Sequence, residues 1–219
     1  MYKEQLAAYT EVLFKQMFSR ELSKALSWSS PMNKPTAILL AGQPGAGKTQ
    51  LSEAHRNLII AGTGRTTEVP IHTANLLIAK GYRVSMAVIA VRPELSLLST
   101  LHRFCSMSEM GTVPRSTAVL AHNTVIQNLP YNLDILYQSN LFTEMQIIDR
   151  REEIVWCSTH AEGMPSEALT AYWESNWTEE ERKDAEETIA FLLQREGCLS
   201  KEQMTMIEEI QRALERLSK

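Results

Sequence analysis

Eight consecutive residues have the types and spacing of a phosphate-binding loop. They match the Walker A pattern at every position and read Gly42-Gln43-Pro44-Gly45-Ala46-Gly47-Lys48-Thr49. Glycines permit backbone angles that turn N–H groups inward around phosphate oxygens. In such loops the lysine contacts the β- and γ-phosphates, and the hydroxyl group that follows it is a ligand of Mg²⁺. We therefore expect all eight residues to bind a nucleoside triphosphate, with Thr49 as the metal ligand.

Four more side chains lie where loops leave predicted elements. Arg103 ends a predicted helix and Arg115 precedes another. Arginines at such positions can neutralise charge during phosphoryl transfer, although by residue type alone a surface role is the simpler interpretation of both. Thr63 and Arg65 follow the second predicted strand. Substrates of open α/β sheets bind beyond the carboxyl ends of the strands, so a binding role and a structural role are both open for these two residues.

Short apolar runs alternate with helical periodicity along the chain, which predicts an α/β fold. We expect a P-loop NTPase-type, mainly parallel sheet flanked by helices, with a C-terminal helical extension. Strands are predicted at 36–41, 57–61 and 84–91, with a strand pair at 145–148 and 154–156. Helices are predicted at 4–26, 69–79, 94–104, from a Ser116 or Thr117 cap towards Leu129, and at 178–194 and 200–217. The predicted domains are a P-loop kinase-like domain over 1–160 and the helical extension over 161–219, packed on it.

Composition narrows the classes of partner. The net charge is −4, and residues 174–219 carry 12 acidic and 7 basic residues. Because no strongly basic field is left elsewhere, we expect no nucleic-acid partner. No apolar run approaches the roughly 18 residues of a membrane span, and three widely separated cysteines do not fit a disulfide framework. We expect a cytoplasmic protein with no membrane contact.

Five separated segments resemble, in order, the motifs of the zeta toxin family with its PezT type. These segments are 35–49, 57–70, 79–82, 88–96 and 128–133. The resemblance implies a kinase toxin of a toxin–antitoxin module that uses ATP and Mg²⁺ to phosphorylate the 3′-hydroxyl of UDP-N-acetylglucosamine. It implies that Arg103 and Arg115 contact the ATP phosphates and that Thr63 and Arg65 contact the sugar nucleotide. It also implies an antitoxin partner that covers the ATP site.

The chain departs from the family pattern beside the P-loop. Family members have a much longer segment before the strand at 57–61, where only residues 52–57 stand here. The segment carries the family's catalytic aspartate, and Ala61 replaces a family glutamate that contacts the sugar nucleotide. Glu53 is the only nearby acid, and nothing in its spacing directs it at a substrate. We therefore assign no catalytic residue. The alternative hypothesis is an ATP-binding, catalytically silent protein that binds the antitoxin.

Overall fold

A computed structural model describes residues 35–48, 58–114 and 117–217. The predicted helix over 4–26, Glu53 and two predicted site residues, Thr49 and Arg115, lie outside the described residues. Five strands form one sheet in the order β2-β1-β3-β4-β5. They are β1 Thr36–Ala41, β2 Leu58–Ala61, β3 Arg83–Ile89, β4 Met145–Ile148 and β5 Ile154–Cys157.

The sheet is parallel except at one edge. β1 pairs in parallel with both β2 and β3, β3 pairs in parallel with β4, and β5 is antiparallel to β4. The central strands are nearly continuous apolar runs because helices cover both of their faces. This arrangement confirms the predicted α/β fold with a mainly parallel sheet. β1 is an inner strand with β2 on one side and β3 on the other, so the loop that follows it opens at the carboxyl edge between these two neighbours.

Six α-helices flank the sheet in the described part of the chain. They are α1 Glu68–Ala79, α2 Pro93–Glu109, α3 Val119–Gln138, α4 Pro165–Glu174, α5 Glu179–Leu193 and α6 Lys201–Leu217. One apolar core lies between the sheet and α1, α3 and α4, and includes Leu77, Leu129, Leu133, Leu136 and Leu169. A second core lies between the sheet and α2, α5 and α6, and includes Leu98, Leu101, Ile189, Leu192 and Ile207. The result is an α/β/α sandwich in which the C-terminal helices contribute to both cores.

Three helical predictions need correction. Arg103 does not end its helix, because α2 continues to Glu109 with Cys105 still buried one turn after Leu101. Thr117 is not the N-cap of α3, and the other predicted cap, Ser116, lies outside the described residues. The helix begins after Ala118, which makes no side-chain capping bond.

The same helix also runs past Leu129 to Gln138, with Pro130 inside it. A proline in a helix interior costs about 3 kcal/mol, and burial of Leu133 and Leu136 beyond it offsets that cost. α4 had no counterpart among the predicted elements. In the described ranges, no helix has the length and apolar character needed to cross a membrane.

Candidate nucleotide site

The P-loop leaves the carboxyl end of β1 in a conformation that needs glycine. Gly42, Gly45 and Gly47 have φ angles of +144°, +83° and +98°, in the region that side chains disfavour. Gly45 is also crowded, since a Cβ atom there would lie 2.2 Å from the backbone oxygen of Ser96. The loop therefore lies directly against the first turn of α2, and glycine is required at position 45 for both angle and space.

Lys48 turns back over the loop that precedes it. Its Nζ donates to the backbone oxygens of Gly42 at 2.7 Å and Gln43 at 2.8 Å. Burial and, after it, the nearby charge of Arg103 together lower the pKa of Lys48 to about 8. These two backbone oxygens are the partners of its ammonium group among the described residues, and an ammonium group has three donors. A phosphate oxygen is an acceptor that such a cation attracts.

Gln43 fastens the loop to the next strand. Its side chain is fully buried, and Nε2 donates to the backbone oxygen of Val91, just beyond β3. Its Oε1 has no hydrogen-bond partner in the described part of the chain. Gln43 thus has a structural role in the loop, while the Lys48 side chain lies where a bound phosphate would need a cation.

Arg150 is a residue of this site that the sequence reasoning missed. It lies in the turn after β4, and its Nη2 donates to the Gly45 backbone oxygen and to Ser99 Oγ, both at 2.8 Å. Its Nη1 binds Asp184 Oδ2 of α5 at 3.2 Å. Its position just after an apolar strand could have indicated it, because ligands of open α/β sheets bind beyond the carboxyl ends of the strands. Thr63 and Arg65 were predicted on that ground.

Asp149, beside Arg150, shapes the turn between β4 and β5. Its carboxylate accepts from the backbone N–H groups of Arg151 and Glu153 and from the Arg151 guanidinium. The side chain is buried, with 6% of its surface exposed. Because its oxygens are occupied by partners within the turn, the geometry does not assign Asp149 as a catalytic base.

Thr63 and Arg65 lie in an exposed loop beyond the carboxyl end of β2. Asn132 of α3 holds this loop, with Nδ2 donating to the backbone oxygens of Gly64 and Arg65, each at 2.9 Å. Gly64 has a φ of +67°, and a Cβ atom there would lie 2.6 Å from Leu129 Cδ1. Both predicted residues therefore stand at the same edge of the sheet as the P-loop, where a second substrate could bind.

A histidine supports the helix behind the P-loop. His122 of α3 lies with its Nε2 2.7 Å from Ser96 Oγ of α2, the residue whose backbone touches Gly45. Burial lowers the pKa of His122, so the neutral ring is favoured. His122 thus belongs to the packing of α2 against α3.

A cavity of about 260 Å³ opens beside Arg150. It lies between the end of β3, the turn after β4 and the connection from α4 to α5, and its lining includes Val91, Arg92, Leu95, Asp149, Arg150 and Tyr172. The Tyr172 hydroxyl donates to Glu181 at 3.4 Å, and burial followed by the Glu181 charge raises the pKa of Tyr172 to about 12. Arg150 therefore lines the cavity and also contacts the P-loop.

The predicted site residues are thus partly brought together. The structure places the loop residues 42–48 at one edge with Thr63 and Arg65, and places the exposed Arg103 close enough to Lys48 to affect its pKa. Among the described residues no cluster of three or more His, Cys, Asp or Glu could hold a metal ion. A P-loop magnesium needs no such cluster, since phosphates and water supply most of its ligands.

Comparison with known proteins decides the family. The family model described as zeta toxin matches residues 20–56 and 49–161, well over half of the chain. The chain belongs to the zeta toxin family. Toxin zeta of Streptococcus pyogenes is 29% identical and the alignment covers 74% of this chain and 77% of that protein. Toxin PezT of Streptococcus pneumoniae serotype 4 is 28% identical, with 80% of this chain and 92% of that protein covered.

A solved structure agrees with the family and the fold. It belongs to a study of the PezAT chromosomal toxin–antitoxin system of Streptococcus pneumoniae, and it superposes with a TM-score of 0.67 at 25% identity. The match covers 83% of this chain and 95% of that chain. This similarity confirms a PezT-type P-loop fold for the sheet and the helices around it.

The alignments also locate a shortfall in length relative to other zeta toxins. The alignment with the Streptococcus pyogenes toxin runs over 220 positions, whereas 74% of this 219-residue chain is about 162 residues. About 58 aligned positions, the difference between 220 and 162, therefore have no residue here. The two matched stretches of the family model overlap at residues 49–56. The resemblance described from the sequence places the missing segment at the same position.

Proposed function

We propose that this chain binds ATP with Mg²⁺ and is a zeta-type kinase that phosphorylates the 3′-hydroxyl of UDP-N-acetylglucosamine. The observation that carries the proposal is the P-loop itself. Its three glycines have positive φ angles, and Lys48 is buried against the loop carbonyls. Backbone N–H groups in such a loop surround phosphate oxygens, and the lysine neutralises their charge.

The remaining predicted site residues have proposed roles in the same reaction. Arg103, together with Arg115, would contact the ATP phosphates, and Thr49 would hold Mg²⁺, which neutralises charge on the transferring phosphoryl group. Thr63 and Arg65 would contact the sugar nucleotide, from a loop fixed by Asn132. We further propose an antitoxin partner, by analogy with the toxin–antitoxin system that the structural neighbour's study describes.

The reaction would transfer one phosphoryl group. The sugar hydroxyl oxygen forms a bond to the γ-phosphorus, the bond from that phosphorus to the bridging oxygen breaks, and ADP leaves. The hydroxyl proton must pass to a base or to solvent, and general-base help typically contributes about 10²–10⁴-fold to such a step. None of the described residues is assigned this role, since the carboxylate of Asp149 is occupied within its turn.

A second function is favoured by the shortfall in length. About 58 positions of the Streptococcus pyogenes toxin have no counterpart here, and the resemblance places the family's catalytic aspartate in that region. Ala61 also stands where the family has a glutamate. The alternative proposal is therefore an ATP-binding, catalytically silent protein that binds the antitoxin.

One assay separates the two functions. Purified protein is incubated with ATP, Mg²⁺ and UDP-N-acetylglucosamine, phosphorylated sugar nucleotide is measured by mass spectrometry, and ATP affinity is measured by calorimetry. Product that disappears in the Lys48→Ala variant supports the kinase. ATP binding without product supports the silent protein, and the absence of both would refute both functions.

A further inference from the structure

We propose that Arg150 is a positioning residue that holds the P-loop in its phosphate-binding conformation, and that Asp184 of α5 holds Arg150 in place. The inference rests on the proposed nucleotide binding, and it adds two side chains outside the P-loop that affect ATP affinity. It gives a C-terminal helix, more than a hundred residues beyond the loop in sequence, an influence on ATP affinity.

The peptide unit between Gly45 and Ala46 is fixed at both of its polar ends. The Gly45 carbonyl oxygen accepts from Arg150 at 2.8 Å, and the Ala46 N–H donates to the Gln43 carbonyl oxygen at 3.2 Å. Because a peptide unit is planar, rotating it would break both bonds at once. The N–H groups of Gly47 and Lys48, which come next, occupy P-loop positions that in such loops point towards phosphate. Their direction therefore depends on this peptide unit.

Glycine makes this restraint necessary. Gly45 has a φ of +83°, and a residue without a Cβ atom has many alternative conformations available to it. The backbone oxygen of Ser96 leaves no room for a Cβ atom at Gly45, and Arg150 holds the Gly45 carbonyl oxygen with a charged donor. Without Arg150, the Gly45 carbonyl would have to find water, and the loop would sample conformations that do not surround a phosphate.

Arg150 itself is held by groups from three different elements. Its guanidinium binds Gly45 in the P-loop, Ser99 in α2 and Asp184 in α5. Burial lowers the pKa of Arg150, while the charge of Asp184 raises it, so the carboxylate compensates part of the cost of placing a cation there. The guanidinium fork can serve several acceptors simultaneously, which the single amine of a lysine does less well.

The ion pair between Asp184 and Arg150 is weaker than the hydrogen bond from Arg150 to the P-loop. The Asp184 side chain is 53% exposed, and ion pairs at such exposure contribute little and are screened by salt. We therefore expect removal of the Asp184 charge to have a small effect that salt abolishes, and removal of Arg150 to have a large effect that salt does not abolish.

The test measures loop order and ATP affinity separately. The variants are Arg150→Gln, Arg150→Lys and Asp184→Asn, with Glu187→Gln on α5 and Arg212→Gln on α6 as controls that retain the site. Hydrogen exchange of the P-loop peptide is followed in the nucleotide-free protein, and the Kd for MgATP is measured by calorimetry. A Kd shift is expected only if the loop amides also exchange faster.

The expected results differ between variants. Arg150→Gln should speed P-loop exchange and weaken MgATP binding by about 10- to 100-fold, the range for a lost charged hydrogen bond. Arg150→Lys should recover part of this loss. Asp184→Asn should weaken binding by about 2- to 5-fold at low salt and not at high salt. Both control variants should behave as the unchanged protein.

Two results would overturn the inference. One is unchanged P-loop exchange in Arg150→Gln with only a lower unfolding midpoint, which would make Arg150 a packing residue. The other, decisive if Arg150→Gln does not fold, is unaltered exchange in both Arg150→Lys and Asp184→Asn. Absence of ATP binding in the unchanged protein would instead refute the proposed function, while the exchange data would still decide the role of Arg150.

Discussion

Lys48 is the residue at which burial has the clearest chemical consequence. Among the described residues its ammonium group donates to two backbone oxygens and to no carboxylate, and its pKa falls to about 8 through burial and the charge of Arg103. A triphosphate would supply the opposite charge that is missing, which favours the protonated form and raises the pKa again. Nucleotide binding and protonation of Lys48 are therefore linked.

The linkage predicts a pH dependence of ATP affinity. Below pH 8 most of the free protein already carries the Lys48 charge, so the affinity for ATP should not change with pH. Above pH 8 most of the free protein has lost this proton, so ATP binding must be accompanied by proton uptake. The Kd for MgATP should rise between about pH 8 and pH 9.5, by up to about tenfold per pH unit, as measured by calorimetry. In Lys48→Arg the side chain stays charged throughout, so its Kd should be flat whatever its absolute value. A flat profile for the unchanged protein would contradict the prediction.

At the scale of elements, α3 determines where the loop after β2 stands. The helix contributes Leu129 against Gly64 and the Asn132 amide to two loop carbonyls. The loop has few other restraints, since Thr63 and Arg65 are exposed. The position of the proposed sugar-nucleotide contacts thus depends on Asn132, which lies more than sixty residues further along the chain.

Replacing Asn132 with alanine tests this dependence. The change leaves two carbonyl oxygens without their donor, and we expect unfolding free energy to fall by about 1–3 kcal/mol, together with faster hydrogen exchange in residues 62–67. Urea denaturation and exchange mass spectrometry give the two values. Asn128→Ala is the matched control, since Asn128 is exposed one turn earlier on the same helix. Equal behaviour of the two variants would show that Asn132 does not hold the loop.

At the scale of the whole molecule, Arg92 joins the sheet to the C-terminal helices. It is 2% exposed at the start of α2 and binds Glu181 of α5 at 3.1 Å. It also donates to the backbone oxygens of Trp173 and Asn176, each at 2.8 Å. One buried guanidinium therefore fixes the connection between α4 and α5, which also forms a wall of the cavity beside Arg150.

We predict that Arg92→Met lowers the unfolding free energy by about 3–5 kcal/mol, because it leaves Glu181 and two carbonyl oxygens without their partner. Chemical denaturation with two probes would measure the loss. Arg212→Met on α6 is the control, and its exposed position should limit its effect to about 0.5 kcal/mol. A loss below about 1 kcal/mol in Arg92→Met would mean that solvent replaces the Arg92 contacts.

The sequence was sufficient for the parts of the site that are encoded locally. The glycine spacing and the apolar run before it identified the P-loop, and the alternation of apolar runs predicted the five strands in their order along the chain, although it missed α4. Helix boundaries were less predictable, as α2 and α3 both extend further than their patterns indicated. Burial in the two cores stabilised those extra turns, including the one that contains Pro130, and a local pattern does not report such burial.

The amino-acid sequence alone thus determined which loop has the phosphate-binding pattern, which family motifs are present and where the chain is short. Only the tertiary structure decided which residues hold that site in shape. Arg150 contacts a loop residue 105 positions away, Asn132 a residue 68 positions away and Arg92 a carboxylate 89 positions away. Periodicity and spacing describe neighbours within a few residues, so contacts of this range exist only once the sheet has brought its strand ends to one edge.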